Sequence, residues 1–84
     1  MVLTKIGERE DKIILKNEDG NTALFGFLDL IPYKGKEYAV ITDESDEAYI
    51  MEFREGAGGK ETYREITDDA LYDVLADLFE NGED

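Results

Sequence analysis

Apolar and polar positions alternate with a period near two over most of this chain and change to a helical period only near its end. The first ten residues carry no clear period: Val2, Leu3 and Ile6 are mixed with Lys5, Glu8, Arg9 and Glu10, so a frayed N-terminus is expected over 1–10, with the ordered core at about 11–81. Lys12-Ile13-Ile14-Leu15-Lys16 then reads as a strand. It runs into Asn17-Glu18-Asp19-Gly20-Asn21, where Asp-Gly tolerates the positive φ that a hairpin needs.

The returning stretch, Thr22 to Pro32, is the most apolar, and its phase is informative. Phe25 and Phe27 share one face at period two, whereas Leu28 and Leu30 fall on the other. One alternation cannot bury all four, so either both faces are covered or a bulge between Gly26 and Asp29 resets the phase. Gly26 fits a bulge or a close backbone approach. Pro32 has no N–H for the ladder and is expected to end the strand.

Tyr33-Lys34-Gly35-Lys36 is a second turn, and Glu37 to Thr42 a third strand with Tyr38 and Val40 on one face. An acidic connection, Asp43-Glu44-Ser45-Asp46-Glu47, leads to a fourth strand, Ala48 to Arg54, that is apolar on most of both faces. Gly56-Ala57-Gly58-Gly59 is a hairpin loop, and Lys60 to Ile66 a shorter fifth strand with a charged edge. From Thr67, read as the N-cap, Leu71, Val74, Leu75, Leu78 and Phe79 form an i, i+3, i+4, i+7, i+8 stripe that Gly82 ends. The pattern predicts one α+β domain over 1–84: a five-stranded antiparallel meander sheet with a C-terminal helix packed on one face.

Composition narrows the chemistry. The 84 residues contain 22 Asp/Glu and nine Lys/Arg, a formal net charge of -13, with neither His nor Cys. That excludes a disulfide framework, a Cys/His zinc site, a thiolate nucleophile and a His-centred acid–base pair. Ser45, the lone serine, has no His to activate it and sits among acids that oppose alkoxide formation. No apolar run is long enough to suggest a membrane span, and the N-terminus lacks a signal-peptide pattern, so a cytoplasmic protein is expected. The negative field disfavours nucleic acid and anionic membranes and favours basic partners or cations.

The order of features is itself informative. A strand ending in Glu18-Asp19-Gly20, an aromatic strand with Phe25 and Phe27-Leu28, then Tyr33-Lys34-Gly35-Lys36-Glu37-Tyr38, an acidic loop, Tyr49-Ile50, and Ile66 before an acid-capped helix resemble the bacterial domain-of-unknown-function family 1292. The resemblance covers about residues 11 to 81. The chain departs from that pattern at Thr42-Asp43, in place of an apolar residue and proline, and at Ala70-Leu71. The resemblance implies a small acidic protein with no assigned activity and no site residues to carry over.

Two readings of function follow from the residues. In the first, the protein is a non-enzymatic interaction module, a monomer or weak homodimer without a cofactor. An apolar sheet face left uncovered by the single helix, with Tyr49, Met51, Phe53 and Tyr63, would dock a basic protein partner. In the second, Asp43, Glu44, Asp46 and Glu47, joined by the helix start at Asp68-Asp69, would bind Ca²⁺ or Mg²⁺ through oxygen ligands. Neither the acidic loop nor the Asn17–Asn21 turn has the spacing of an EF-hand.

Overall fold

A computed structural model describes residues 2–81. Strands β1 (Val2–Arg9), β2 (Lys12–Lys16), β3 (Thr22–Tyr33), β4 (Lys36–Thr42), β5 (Ala48–Glu55) and β6 (Glu61–Glu65) pair antiparallel in chain order, and β6 returns to β1. The sheet is therefore a six-stranded closed barrel, where the sequence pattern predicted an open five-stranded meander. Helix α1 (Asp69–Asn81) follows β6. Among the described residues, no helix is long and apolar enough to cross a membrane.

The additional strand is the N-terminal segment expected to be frayed. Thr4 lies opposite Lys16 and Val2 opposite Arg64, so β1 closes the ring between β2 and β6. Its period is hidden by a bulge: the register with β2 shifts between Lys5 and Gly7, leaving Ile6 as an extra residue. Leu3 and Lys5 face inward before the bulge and Glu8 after it, so no single alternation runs through the strand. For the same topological reason β6 is not an edge; it pairs with β5 on one side and β1 on the other.

The phase change in β3 is also a bulge, one of the two alternatives its sequence leaves open. Phe27 pairs with Ile41 and Asp29 with Val40, leaving Leu28 unopposed. Pro32, however, lies inside β3, opposite Glu37, and the strand ends at Tyr33. The turn there is Lys34-Gly35, with φ of 49° and 80°, the left-handed pair of a two-residue hairpin.

Two cores divide the apolar residues. Leu3, Ile13, Leu15, Ala39, Ile41, Met51 and Tyr63 fill the barrel interior. Ile31, Tyr38, Val40 and Ile50 point outward and are covered by α1 through Leu75. This explains why β5 is apolar on both faces: Met51 packs inside the barrel and Ile50 under the helix.

Helix α1 starts one residue later than Thr67 implies. The Asp68 carboxylate accepts the Leu71 N–H at 3.1 Å, and the Asp68 carbonyl accepts the Tyr72 N–H, so Asp68 is the N-cap. Of the predicted apolar stripe, Leu75 is fully buried but Val74 is 41% exposed, and Tyr72 and Ala76 pack in its place. The expected helix end at Gly82 lies outside the described residues. Beyond the end of β6, the Ile50 N–H donates to the Tyr72 hydroxyl at 3.3 Å, which ties the helix to β5.

Candidate functional site

The connection from β4 to β5 folds around one aspartate. Asp43 Oδ1 accepts the N–H of Ser45 at 2.8 Å and of Glu47 at 3.0 Å, while its own N–H donates to the Glu47 carbonyl. These local bonds are the reason a short acidic stretch can turn here without a proline. The Glu47 amide is the main cause holding the Asp43 carboxyl below its ordinary value, with the Tyr49 hydroxyl and the Ser45 amide adding to it against a smaller desolvation effect.

Tyr49 joins the loop to the barrel end. Its hydroxyl lies 2.8 Å from Glu47 Oε2 and 3.0 Å from Asp43 Oδ2. One phenolic proton thus serves two carboxylates, and these bonds, Glu47 first and then Asp43, push the phenol pKa far up. Neither carboxylate is paired with a cation among the described residues, so the two negative charges are met by neutral donors alone.

Beside this pair the barrel opens into a cavity of about 390 Å³. Its base is apolar, formed by Leu3, Phe25, Ile41 and Met51, and Asp43, Tyr49, Glu65 and Tyr72 stand around it. That size lies at the lower end of small-ligand sites. A second cavity of about 280 Å³ lies among Lys5, Ile13, Phe27, Phe53 and Tyr63. There Lys5 Nζ sits 3.5 Å from both Glu8 and Glu61 carboxylates. Burial, with the charge and hydrogen bond of Glu61 adding to it, pushes the Tyr63 phenol up to about 12.

The four residues nominated for a partner surface are not on one face exposed to solvent. Met51 and Tyr63 are buried inside the barrel, and Phe53 is half-buried with its ring 5.3 Å from that of Tyr63. Only Tyr49 is exposed. Closure of the sheet is the cause: the face expected to be bare is the barrel interior. Tyr49 and Met51 line the larger cavity, and Phe53 and Tyr63 the smaller one.

The cation reading is not supported. Asp43 closes its own loop, Glu47 receives Tyr49, Asp68 caps α1, and among the described residues no group of three or more acidic side chains is placed to hold a metal ion. Leu3, Phe25, Ile41, Glu65 and Tyr72 were not nominated from the sequence. Leu3, Glu65 and Tyr72 reach the cavity because the ring closes and α1 folds back, which leaves no local signal in the chain. Ile41, by contrast, stands directly opposite Tyr49 on the neighbouring strand, and Phe25 lies on the next one.

Comparison with known proteins bears on family. A family model described as "Protein of unknown function (DUF1292)" matches residues 18–83. A UPF0473 protein of Heliobacterium modesticaldum is 38% identical over 76 residues, covering 87% of this chain and 85% of its own length. A UPF0473 protein of Pelotomaculum thermopropionicum is 34% identical over 76 residues, covering 87% of each. No solved structure matches. With a match of that extent and two bacterial relatives aligned over most of their length, the chain belongs to the DUF1292 family of proteins of unknown function.

Proposed function

We propose that the protein is a non-enzymatic interaction module of the bacterial cytoplasm that receives a basic segment of a protein partner at the Tyr49 end of the barrel. The observation that carries this reading is an apolar cavity beside two carboxylates sharing one hydroxyl proton. A lysine or arginine side chain suits both parts. Its methylene stem packs against half-buried Phe25 and the exposed ring of Tyr49, and its charged end supplies the cation that Asp43 and Glu47 lack. The net charge of -13 speeds the approach of such a segment and repels acidic competitors.

The test is a titration of isotopically labelled protein with a short lysine-containing peptide and with its norleucine counterpart, at physiological salt. Amide shifts confined to Asp43, Tyr49 and Met51, with the norleucine peptide and a Glu47→Gln variant each weakened at least about fivefold, are expected. Shifts spread over all acidic surfaces, and equal for both peptides, would show charge acting without a site.

A further inference from the structure

The outer surface of the barrel away from α1 has the opposite character to the chain as a whole. Register places Arg9 directly opposite Lys12, Gly7 opposite Ile14 opposite Leu24, Thr4 opposite Lys16, and Val2 opposite Arg64. All of these point outward, since their neighbours Leu3, Ile13, Leu15 and Tyr63 fill the interior. No outward position of β6, β1, β2 or β3 as far as Gly26 holds a carboxylate, although the chain has 22. Glu8 of β1 and Glu61 and Glu65 of β6 lie on the inward side of their strands, and Glu10, Asp11, Glu18 and Asp19 are in the turns at the two ends of β2, where the Glu18 carboxylate accepts the Val2 N–H at 3.2 Å.

Two further features set this face apart. Like charges directly opposite each other, as Arg9 and Lys12 are, destabilise a strand pair. Yet Arg9, Lys12, Lys16 and Arg64 form no ion pair with another described residue; off this face the same holds for Lys34 and Lys60, in connections between strands, while the strand cations Lys5, Lys36 and Arg54 are paired. Between the cations lies an apolar row, half-buried Ile14 and Leu24 beside the bulged Ile6, which is 54% exposed. Neither Ile14 nor Leu24 belongs to either core.

The complement of this face is on the same molecule. Helix α1 has no Lys or Arg, and its solvent side carries Asp69, Asp73, Asp77 and Glu80 with exposed Val74 beside them. Asp69 and Asp77 are about 12 Å apart along the helix. Lys12 and Lys16 are about 13 Å apart along β2. We infer that this basic, apolar-centred face of β6–β1–β2–β3 docks the acidic side of α1 of a second copy of the chain, with Val74 meeting the row of Ile6, Ile14 and Leu24. Because α1 covers β3 to β5, donor and acceptor surfaces differ, and the contact is head-to-tail. Net repulsion between copies is no bar at 0.15 M salt. The screening length of about 8 Å is short against a molecule 29 Å across its middle axis, while contacting charges are screened far less.

Charge exchange tests the contact. At 0.15 M salt, the weight-average mass from sedimentation equilibrium should rise above 9.5 kDa as the wild type is concentrated towards about 1 mM. Lys12→Glu/Lys16→Glu and Asp73→Lys/Asp77→Lys should each stay monomeric alone, and an equimolar mixture should associate again, because the reversed face of one then meets the reversed helix of the other. A monomeric wild type, or folded variants that do not associate when mixed, would overturn the inference. If either variant fails to fold, a wild-type dilution series followed by amide shifts decides the matter. Changes confined to Ile6, Arg9 to Lys16, Leu24 and Asp73 to Asp77 support the contact, and changes elsewhere or none overturn it. A single-stranded oligonucleotide that moves the same amides while the protein stays monomeric would also overturn it, assigning the cations to phosphate.

Discussion

Truncating Leu75 and Val74 one at a time tests how α1 is seated on the barrel. Val74 and Leu75 both lie on the apolar stripe, but Leu75 is fully buried against Ile31, Tyr38, Val40 and Ile50, whereas Val74 is 41% exposed. Leu75→Ala removes a buried side chain at a helix–sheet junction that strands on one side can relax only partly to fill. The expected cost is about 3 kcal/mol. For 84 residues the whole stability is on the order of 4–13 kcal/mol, so this is a large share. With a urea slope of about 1 kcal/mol/M, the unfolding midpoint should fall by about 3 M. Val74→Ala loses part of a half-exposed side chain and gains about 0.5 kcal/mol of helix propensity, for a net change within about 0.5 kcal/mol. Urea titration followed by far-ultraviolet circular dichroism measures both, with Leu75→Val as the milder step, at about 1 kcal/mol, should the alanine variant be too unstable. Equal costs at the two positions, or a Leu75→Ala cost below about 1 kcal/mol, would refute the packing described.

Other positions give independent checks. Asp68→Ala should cost about 1 kcal/mol and Thr67→Ala little, measured the same way, because the carboxylate of Asp68 receives the Leu71 N–H. A Cβ at Gly26 would sit 2.7 Å from Thr42 Oγ1, so Gly26→Ala should destabilise by about 1–2 kcal/mol, and adding Thr42→Ala should recover most of that in a double-mutant cycle. The Tyr63 phenol is raised above its unfolded value of 10 to about 12, so its contribution is complete below pH 10 and is lost as pH rises to 12. Alkaline absorbance titration should lose the transition near pH 12 in Tyr63→Phe. The Asp43 carboxyl is lowered from 3.8, so the order it gives the loop is complete above that pH and lost as pH falls below it. Carboxyl-carbon NMR of Asp43, followed with the Ser45 and Glu47 amides, reports both changes together.

What the chain discloses depends on how local the determinant is. The Asn17–Asn21 turn, the Lys34-Gly35 turn and the helix each rest on residues close in sequence and can be read from pattern, and the β3 bulge is one of two alternatives that the pattern leaves open. Closure of the barrel rests on Val2 to Thr4 meeting Thr62 to Arg64, a pairing with no local trace, in a strand whose bulge at Ile6 conceals its period. The same gap misplaced the candidate site. Taken as an open sheet, β5 offers a bare apolar face with Met51 and Phe53. Closed, that face is the interior, and the surface features are the Asp43–Tyr49–Glu47 cluster at one end and the acid-free outer face of β1 and β2. The shared Tyr49 proton was equally hidden, since it depends on how the 43–47 loop turns back over β5.

The ring also sets an order on the ribosome. Strands β2 to β5 are joined to their neighbours by short connections and can pair as each hairpin emerges. β1 is made first, yet its second partner lies about sixty residues later, so the seam between β1 and β6 closes only after β6 has been synthesised. Until then the nascent sheet has two unsatisfied edges, β1 on one side and the latest strand on the other, each able to pair with another chain. The few residues of the closing seam therefore govern how long each newly made molecule remains open to misassociation.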